Sequence, residues 1–230
     1  MSLPAHGATD TRTRILEATA QCIADEGIAA VRMAGIAKAA GVSTALLHYH
    51  FATKEQLFES VLRYSYESTT VLDQDSLRGS GRTPAQRLAA YLDRCLPSDD
   101  ELARDWLLWQ ELGLMCLRQP ELAATNADLY QGDHERVATI IRDGIEDGSF
   151  QECDADAVAQ AAVALCDGLG TRVLSDDPRT TLADARRIVA TTVGSLVGAD
   201  GPLPLPTVAP RKARAKSTRA TSTRARGAAR

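Results

Sequence analysis

With 230 residues, 44% of them hydrophobic, and a formal net charge of −4, the chain can bury one or two sizeable cores and carries no compositional sign of a nucleic-acid partner. Its longest unbroken apolar run, Ala161 to Cys166, is far too short to cross a bilayer, and the N-terminus lacks a charged-then-apolar signal segment, so a cytoplasmic location is expected. Five cysteines (Cys22, Cys95, Cys116, Cys153 and Cys166), an odd number without a C-x-x-C pair, argue against a disulfide framework or a zinc site and for reduced, mostly buried thiols.

Residues 1–9 read as a disordered arm. The first helix is expected from about Asp10 to Glu26, with Ile15, Ala18, Thr19, Cys22 and Ile23 on one face and Gly27 as its stop. A second starts near Arg32, which cannot cap it as a hydroxyl would. Arg32 is left either to reach a phosphate or to face solvent. Gly35 costs this helix about 1 kcal/mol relative to alanine and offers no side chain to a partner.

The stretch from Ile36 to Phe51 organises the chain. It reads as a short helix, a tight turn and a second short helix. Ile36, Ala37 and Ala40 give the first a small apolar face, and Gly41 follows where a left-handed cap is needed. Ser43 stands at the N-cap of the second. Val42 and Leu47 face inward, so Thr44, Ala45, Leu46, His48, Tyr49 and His50 form an exposed face. Such a face suits a helix whose first residues read base edges in a major groove; an ordinary helical hairpin is the plain alternative. Thr53 and Gln56 then form a capping box, which sets Lys54 in a first turn where a cation opposes the helix dipole. A DNA phosphate would give that lysine a purpose.

Residues 12–62 resemble the DNA-binding domain of TetR-family transcriptional regulators. The resemblance is carried by Ile15-Leu16, Ala18, Gly27, Ile36-Ala37, Ala40-Gly41-Val42-Ser43, Leu47, Phe51, Lys54-Glu55 and Leu57. It implies that Thr44, Ala45, His48 and Tyr49 face bases, while Ser43, Leu46, His50 and Lys54 lie near phosphates. Three departures from the family pattern bear on this. Ala45 replaces a common glycine, His48 a common tyrosine, and Arg32 the usual hydroxyl cap. Ala45 still offers a methyl to thymine, whereas the reach of His48 is open.

A long helix from Thr53 to about Leu72 links the two halves, and Asp73 to Gly81 reads as a loop. Thr83-Pro84-Ala85-Gln86 is a strong helix start, and Pro97 ends what it begins. Ser98 to Glu101 opens a helix to Leu117. Pro120 opens another to about Asp147, and two more span Asp154–Leu174 and Asp177–Val197. There is no period-two strand and no internal repeat, so the expected fold class is all-α. The expected domains are 10–58 for DNA binding and 59–198 for effector binding and dimerisation, with 199–230 as a disordered proline-rich spacer and basic tail.

The last two helices are rich in small residues, among them Ala155, Ala157, Ala161, Ala164, Gly168, Ala185, Ala190 and Gly194. The resemblance implies that they pair with their copies as a four-helix dimer interface. Leu165 to Leu169 and Ala185 to Ile188 look like the branch of betaine-responsive repressors. It also implies an effector pocket in the middle region. Candidate lining residues are Tyr66, Trp106, Trp109, Met115, Cys116 and Tyr130, with Tyr64 nearby; a small apolar or cationic molecule fits an aromatic lining, and ordinary core is the alternative. His134, in a polar run, reads as surface. No metal or cofactor motif is present.

Residues 201–206 should form an extended spacer, because their prolines forbid a helix. Residues 211–230 hold eight Lys/Arg and no acid, leaving 18 basic against 30 acidic residues in 1–210. A solvated tail and a tail that adds sequence-independent DNA affinity both fit that composition. The function expected is a ligand-responsive regulator, a repressor that binds a palindromic operator as a dimer and is released by a small-molecule effector. The alternative is a helical small-molecule-binding or enzymatic protein whose hairpin is only structural.

Overall fold

The computed structural model describes residues 6–78 and 81–207, which contain nine helices and no strand. Of the expected arm at 1–9, residues 1–5 lie outside the described residues, as does the basic tail at 211–230, while 6–9 are helical rather than disordered. Helix α1 (His6–Glu26) begins four residues before the expected Asp10, since no proline intervenes after Pro4. It buries Ile15, Leu16 and Ile23 with Thr19, whose hydroxyl donates to the Ile15 carbonyl at 2.6 Å and so enters the core satisfied. Gly27, at φ +79°, ends it in the left-handed conformation that costs glycine nothing.

Helices α2 (Met33–Ala39) and α3 (Thr44–His50) form the expected hairpin. Gly41 sits at φ +65°, and the Val42 N–H reaches back to the Ala37 carbonyl at 2.9 Å, closing the end of α2. Ser43 is the N-cap of α3, its hydroxyl accepting the Leu46 N–H at 3.1 Å. Leu47 is fully buried, which stabilises the unit by about 1.5–3 kcal/mol relative to leaving it exposed. Helix α4 (Lys54–Arg78) follows. Thr53 Oγ1 accepts from the Gln56 N–H at 3.1 Å, but the Gln56 side chain accepts from the Ala52 N–H at 2.9 Å, one residue before the expected partner. The helix runs past the expected Leu72 through most of the segment read as a loop, because no glycine or proline interrupts it before Gly79.

The second half comprises α5 (Pro84–Arg94), α6 (Asp100–Cys116), α7 (Pro120–Glu146), α8 (Ala155–Leu174) and α9 (Leu182–Leu196). Thr83 and Gln86 make the expected reciprocal capping box, and Asp99 caps α6 through the N–H groups of Glu101 and Leu102. Helix α9 starts later than the expected Asp177, at a second capping box formed by Thr181 and Asp184. The buried side chains fall into two cores. One gathers α5, α7, α8 and α9 around Leu88, Leu92, Ile141, Ala159, Ala162 and Val189. The other joins α1–α4 to Leu108, Leu112 and Cys116 of α6 and to Leu122 and Leu129 of α7. The first core of the chain therefore does not close at residue 58. Helix α6 belongs to it and also borders the space between the two cores.

The small residues of α8 and α9 divide into two sets. Ala155, Ala159, Ala162, Gly170, Ala185, Ala190 and Gly194 are buried within the protomer. By length and composition α8 could cross a bilayer, but these contacts, with Val158, Cys166 and Leu169, make it a core helix. Ala157, Ala161, Ala164 and Gly168 lie along one edge of α8 at spacings of four, three and four residues, which places them on a common stripe outside that buried set. The proline-rich segment departs from the expected free spacer. The Leu203 side chain is buried, its N–H donates to the Ala190 carbonyl at 3.0 Å, and Arg186 holds both the Asp93 carboxylate and the Pro206 carbonyl. Leucines at alternate positions supply the apolar contact that proline alone lacks. Gly194 is glycine for this reason, because a Cβ there would lie 2.7 Å from the Gly201 carbonyl oxygen.

Candidate functional site

The outward face of α3 is built on a rigid base. Leu47 and Phe51 anchor the helix in the core, the Ser43 cap fixes its first turn, and Thr44, Ala45, Leu46, His48 and Tyr49 are left exposed. Tyr49 is 83% exposed, so its ring is open to a partner. His50 is half-buried, edge-on to Tyr49 with ring centroids 5.4 Å apart, so it supports Tyr49 more than it projects. Arg32 precedes α2, is exposed, and makes no side-chain cap, as its chemistry requires. Thr44, Ala45, His48 and Tyr49 thus share one open surface, with Ser43 and Leu46 at its border.

Lys54 makes contacts within the protein that its position in the sequence does not announce. Its ammonium donates to the Val31 carbonyl at 2.7 Å and to the Ile28 carbonyl at 3.3 Å, and it lies 5.1 Å from the centre of the Phe58 ring. The lysine closes the loop between α1 and α2, whose carbonyls would otherwise lack these donors, and this explains a cation in the first turn of α4 without a phosphate. From the other side, the Glu111 carboxylate of α6 accepts the Ile28 N–H at 3.2 Å. The loop at 27–31 is therefore held by α4 and α6 together.

Between the two cores lies a cavity of about 140 Å³. That is well below the roughly 300 Å³ at which drug-sized sites begin, so its occupant is small. Tyr66, Trp106, Trp109 and Tyr130 line it, in keeping with the sequence expectation. Met115 and Cys116 do not. Both belong to the core shared by α1–α4 and α6: Met115 points to the opposite side of α6 from Trp106, and Cys116, on the Trp109 side but two turns further on, is buried in that core with Leu112 and Leu122. Tyr64 borders a second, open cavity of about 450 Å³ between α1, α4 and α6, which shares Arg94, Leu102 and Asp105 with the first. His134 lies at the surface side of α7, 2.8 Å from the Asp156 carbonyl.

The charged members of the cavity carry no signal in the sequence. Tyr91 reads as core by its spacing, yet its hydroxyl donates to Asp133 at 2.7 Å. Arg136 reaches Asp133 at 3.3 Å and stacks over Tyr66 at 4.7 Å. Burial raises the Asp133 carboxyl, while the Tyr91 hydrogen bond and Arg136 oppose the rise. Asp167, from α8, is pushed up to about 6, first by burial and then by Asp133. Two aromatic walls rest on glycine: a Cβ on Gly132 would overlap the Tyr66 hydroxyl, and one on Gly170 would overlap the Trp106 ring. Among the described residues no cluster of His, Cys, Asp and Glu could hold a metal ion.

Comparison with known proteins fits both halves. Residues 15–61 match the family of bacterial regulatory proteins called tetR, and residues 84–198 match the C-terminal region of BetI-type transcriptional repressors. The regulator PksA of Bacillus subtilis is 24% identical over 190 residues, 80% of this chain and 89% of that protein. The regulator BetI of Rhizobium meliloti is 29% identical over 164 residues, 70% of this chain and 76% of that protein. A solved structure of a transcriptional regulator from Saccharomonospora viridis in complex with choline superposes with a TM-score of 0.74 at 27% identity, covering 84% of this chain and 98% of that one.

Proposed function

We propose, on the premise that this chain belongs to the TetR family of bacterial transcriptional regulators with a C-terminal half of the BetI type, that it represses transcription by gripping a two-fold operator with α3 and lets go when a small organic cation fills the cavity. That it is a ligand-responsive transcriptional regulator follows from the family itself. The operator contacts and the effector class are our reading. The observation that carries the first is the open face of α3, where Thr44, Ala45, His48 and Tyr49 are exposed on a helix fixed by Leu47 and Ser43. Ser43, Leu46, His50 and Arg32 lie at the edges, suited to phosphate contact; Lys54 is reassigned to holding the 27–31 loop.

Dimerisation would proceed through the stripe Ala157, Ala161, Ala164 and Gly168, whose small side chains let two helix axes approach closely, with the exposed side of α9 beside it. A dimer sets two α3 helices in successive major grooves about 34 Å apart, so the site must be a pseudo-palindrome. Such a protein works in the bacterial cytoplasm, where the DNA lies. The cavity walls of tyrosine and tryptophan, together with its excess of carboxylates, suit a cation with an apolar body; the regulator crystallised with choline supports that class. Helix α6 supplies the coupling. It carries Trp106 and Gln110 on the cavity and Glu111 on the Ile28 N–H, so a ligand that shifts α6 also loosens the loop ahead of α2. Selection of full-length protein on random duplex DNA tests the reading. It should return a two-fold site for the native protein and a relaxed preference for Tyr49→Ala; a site without two-fold symmetry would defeat it.

A further inference from the structure

We propose that Asp167 supplies the counter-charge for a monocationic effector, and that a proton binding the same carboxylate competes with that cation. The assignment rests on the effector reading above and deepens it. Three carboxylates border the cavity, Asp105 of α6, Asp133 of α7 and Asp167 of α8, against two guanidiniums, Arg94 of α5 and Arg136 of α7. Asp133 is engaged by the Tyr91 hydroxyl and by Arg136. Asp105 lies in the field of Arg104 and Arg94, with Glu101 and Asp99 opposing them. Asp167 differs. Among the described residues its carboxylate receives no hydrogen bond and no ion pair, and the one charge acting on it is the like charge of Asp133. The cavity is thus one positive charge short, and the shortfall lies at Asp167.

A half-buried carboxylate without a partner carries a desolvation cost, and a ligand cation relieves that cost while a neutral molecule of the same shape does not. Tyr66, Trp106, Trp109 and Tyr130 line the same cavity, and aromatic rings suit the rest of such a cation. The other groups that share the cavity with Asp167 come from four helices. From α4 there is Tyr66, from α5 Tyr91, Cys95 and Arg94, and from α7 Tyr130, Asp133 and Arg136. The three tyrosine hydroxyls are raised by burial, so none ionises near neutrality. Asp133 has its own donors in Tyr91 and Arg136. Asp105, from α6, shares the Arg94 side of the cavity. Because the free Asp167 carboxyl is held at about 6, the proton and the cation exchange one for one just below neutrality.

Two probes of nearly equal shape test this, choline and its neutral carbon analogue 3,3-dimethylbutan-1-ol, titrated calorimetrically into the full-length protein from about pH 5 to about pH 8. The native protein should bind choline at least tenfold more tightly than the analogue at the upper end. Choline affinity should fall as the pH drops through about 6, approaching tenfold per pH unit, while the affinity of the analogue should not fall. Asp167→Asn should remove both the preference and the pH dependence. A flat choline profile in the native protein overturns the assignment whatever the variant does. Native-like preference in a folded Asp167→Asn variant overturns it also, and leaves the cationic effector standing. If the native protein binds neither probe, the cationic effector falls and the role of Asp167 falls with it.

Discussion

Lys54→Met separates a folding role from a DNA role at the position where sequence and structure disagree. The methionine keeps the apolar stem against Phe58 and removes only the ammonium. It leaves the Val31 carbonyl, now 2.7 Å from its donor, and the Ile28 carbonyl, at 3.3 Å, without that partner. A hydrogen bond to a charged donor contributes about 1.5–3 kcal/mol, and the ring contact adds about 0.5–1 kcal/mol. The longer bond counts for less than the shorter, so the loss should be about 2–4 kcal/mol. For a chain of this size that is a fall in Tm of roughly 5–15 °C, read by circular dichroism in the far-ultraviolet helix band. The salt dependence of operator binding should keep its slope. A lysine that binds a phosphate would behave in the opposite way. Its removal would reduce the slope by about 0.9 for each phosphate no longer neutralised, while leaving Tm nearly unchanged. That second pattern would refute the role assigned to Lys54.

Three further substitutions probe the interface and the cavity. A Cβ at Gly168 would meet nothing within 4 Å in the protomer and glycine is a poor helix former, so Gly168→Leu should leave helicity intact while sedimentation shifts from dimer to monomer; a persistent dimer would move the interface away from α8. Gly170→Ala should push the Trp106 ring into the cavity and weaken choline binding several-fold, with operator affinity in the absence of ligand unchanged. Asp167 binds its proton more tightly in the folded than in the unfolded chain, so its contribution to stability is lost as the pH rises from about 4 to about 6. Asp167→Asn should therefore raise Tm above that window and change it little below; no gain in the unliganded protein near pH 7.5, well above the carboxyl's value of about 6, would contradict the buried charge.

The helix-turn-helix is legible in the sequence because local rules decide it: Gly41 and Ser43 act through their own backbone, and Leu47 through a period that one helix displays. The same holds for the capping box at Thr83 and for the all-α class. The α8 and α9 small residues are legible as a class but not by direction, since the choice between Ala159 inside and Ala161 outside depends on where α5, α7 and α9 pack. The role of Lys54 is hidden because its acceptors lie 23 and 26 residues away, on a loop that local reasoning cannot bring to it. The effector cavity divides in the same manner. Its aromatics stand out by rarity, whereas Asp133 and Asp167 are ordinary helical aspartates until α7 and α8 meet. In the strap at 201–206 the prolines catch the eye, and it is Leu203 between them that docks it.

Thermodynamic linkage between cavity and operator is the central claim, and reciprocity gives its direct test. Choline is titrated calorimetrically into the free protein and into the protein saturated with its selected operator. Linkage predicts weaker choline binding on DNA, by a factor between about 5 and about 150, and the same factor for the loss of operator affinity when choline is saturating. An identical choline Kd with and without operator would contradict it.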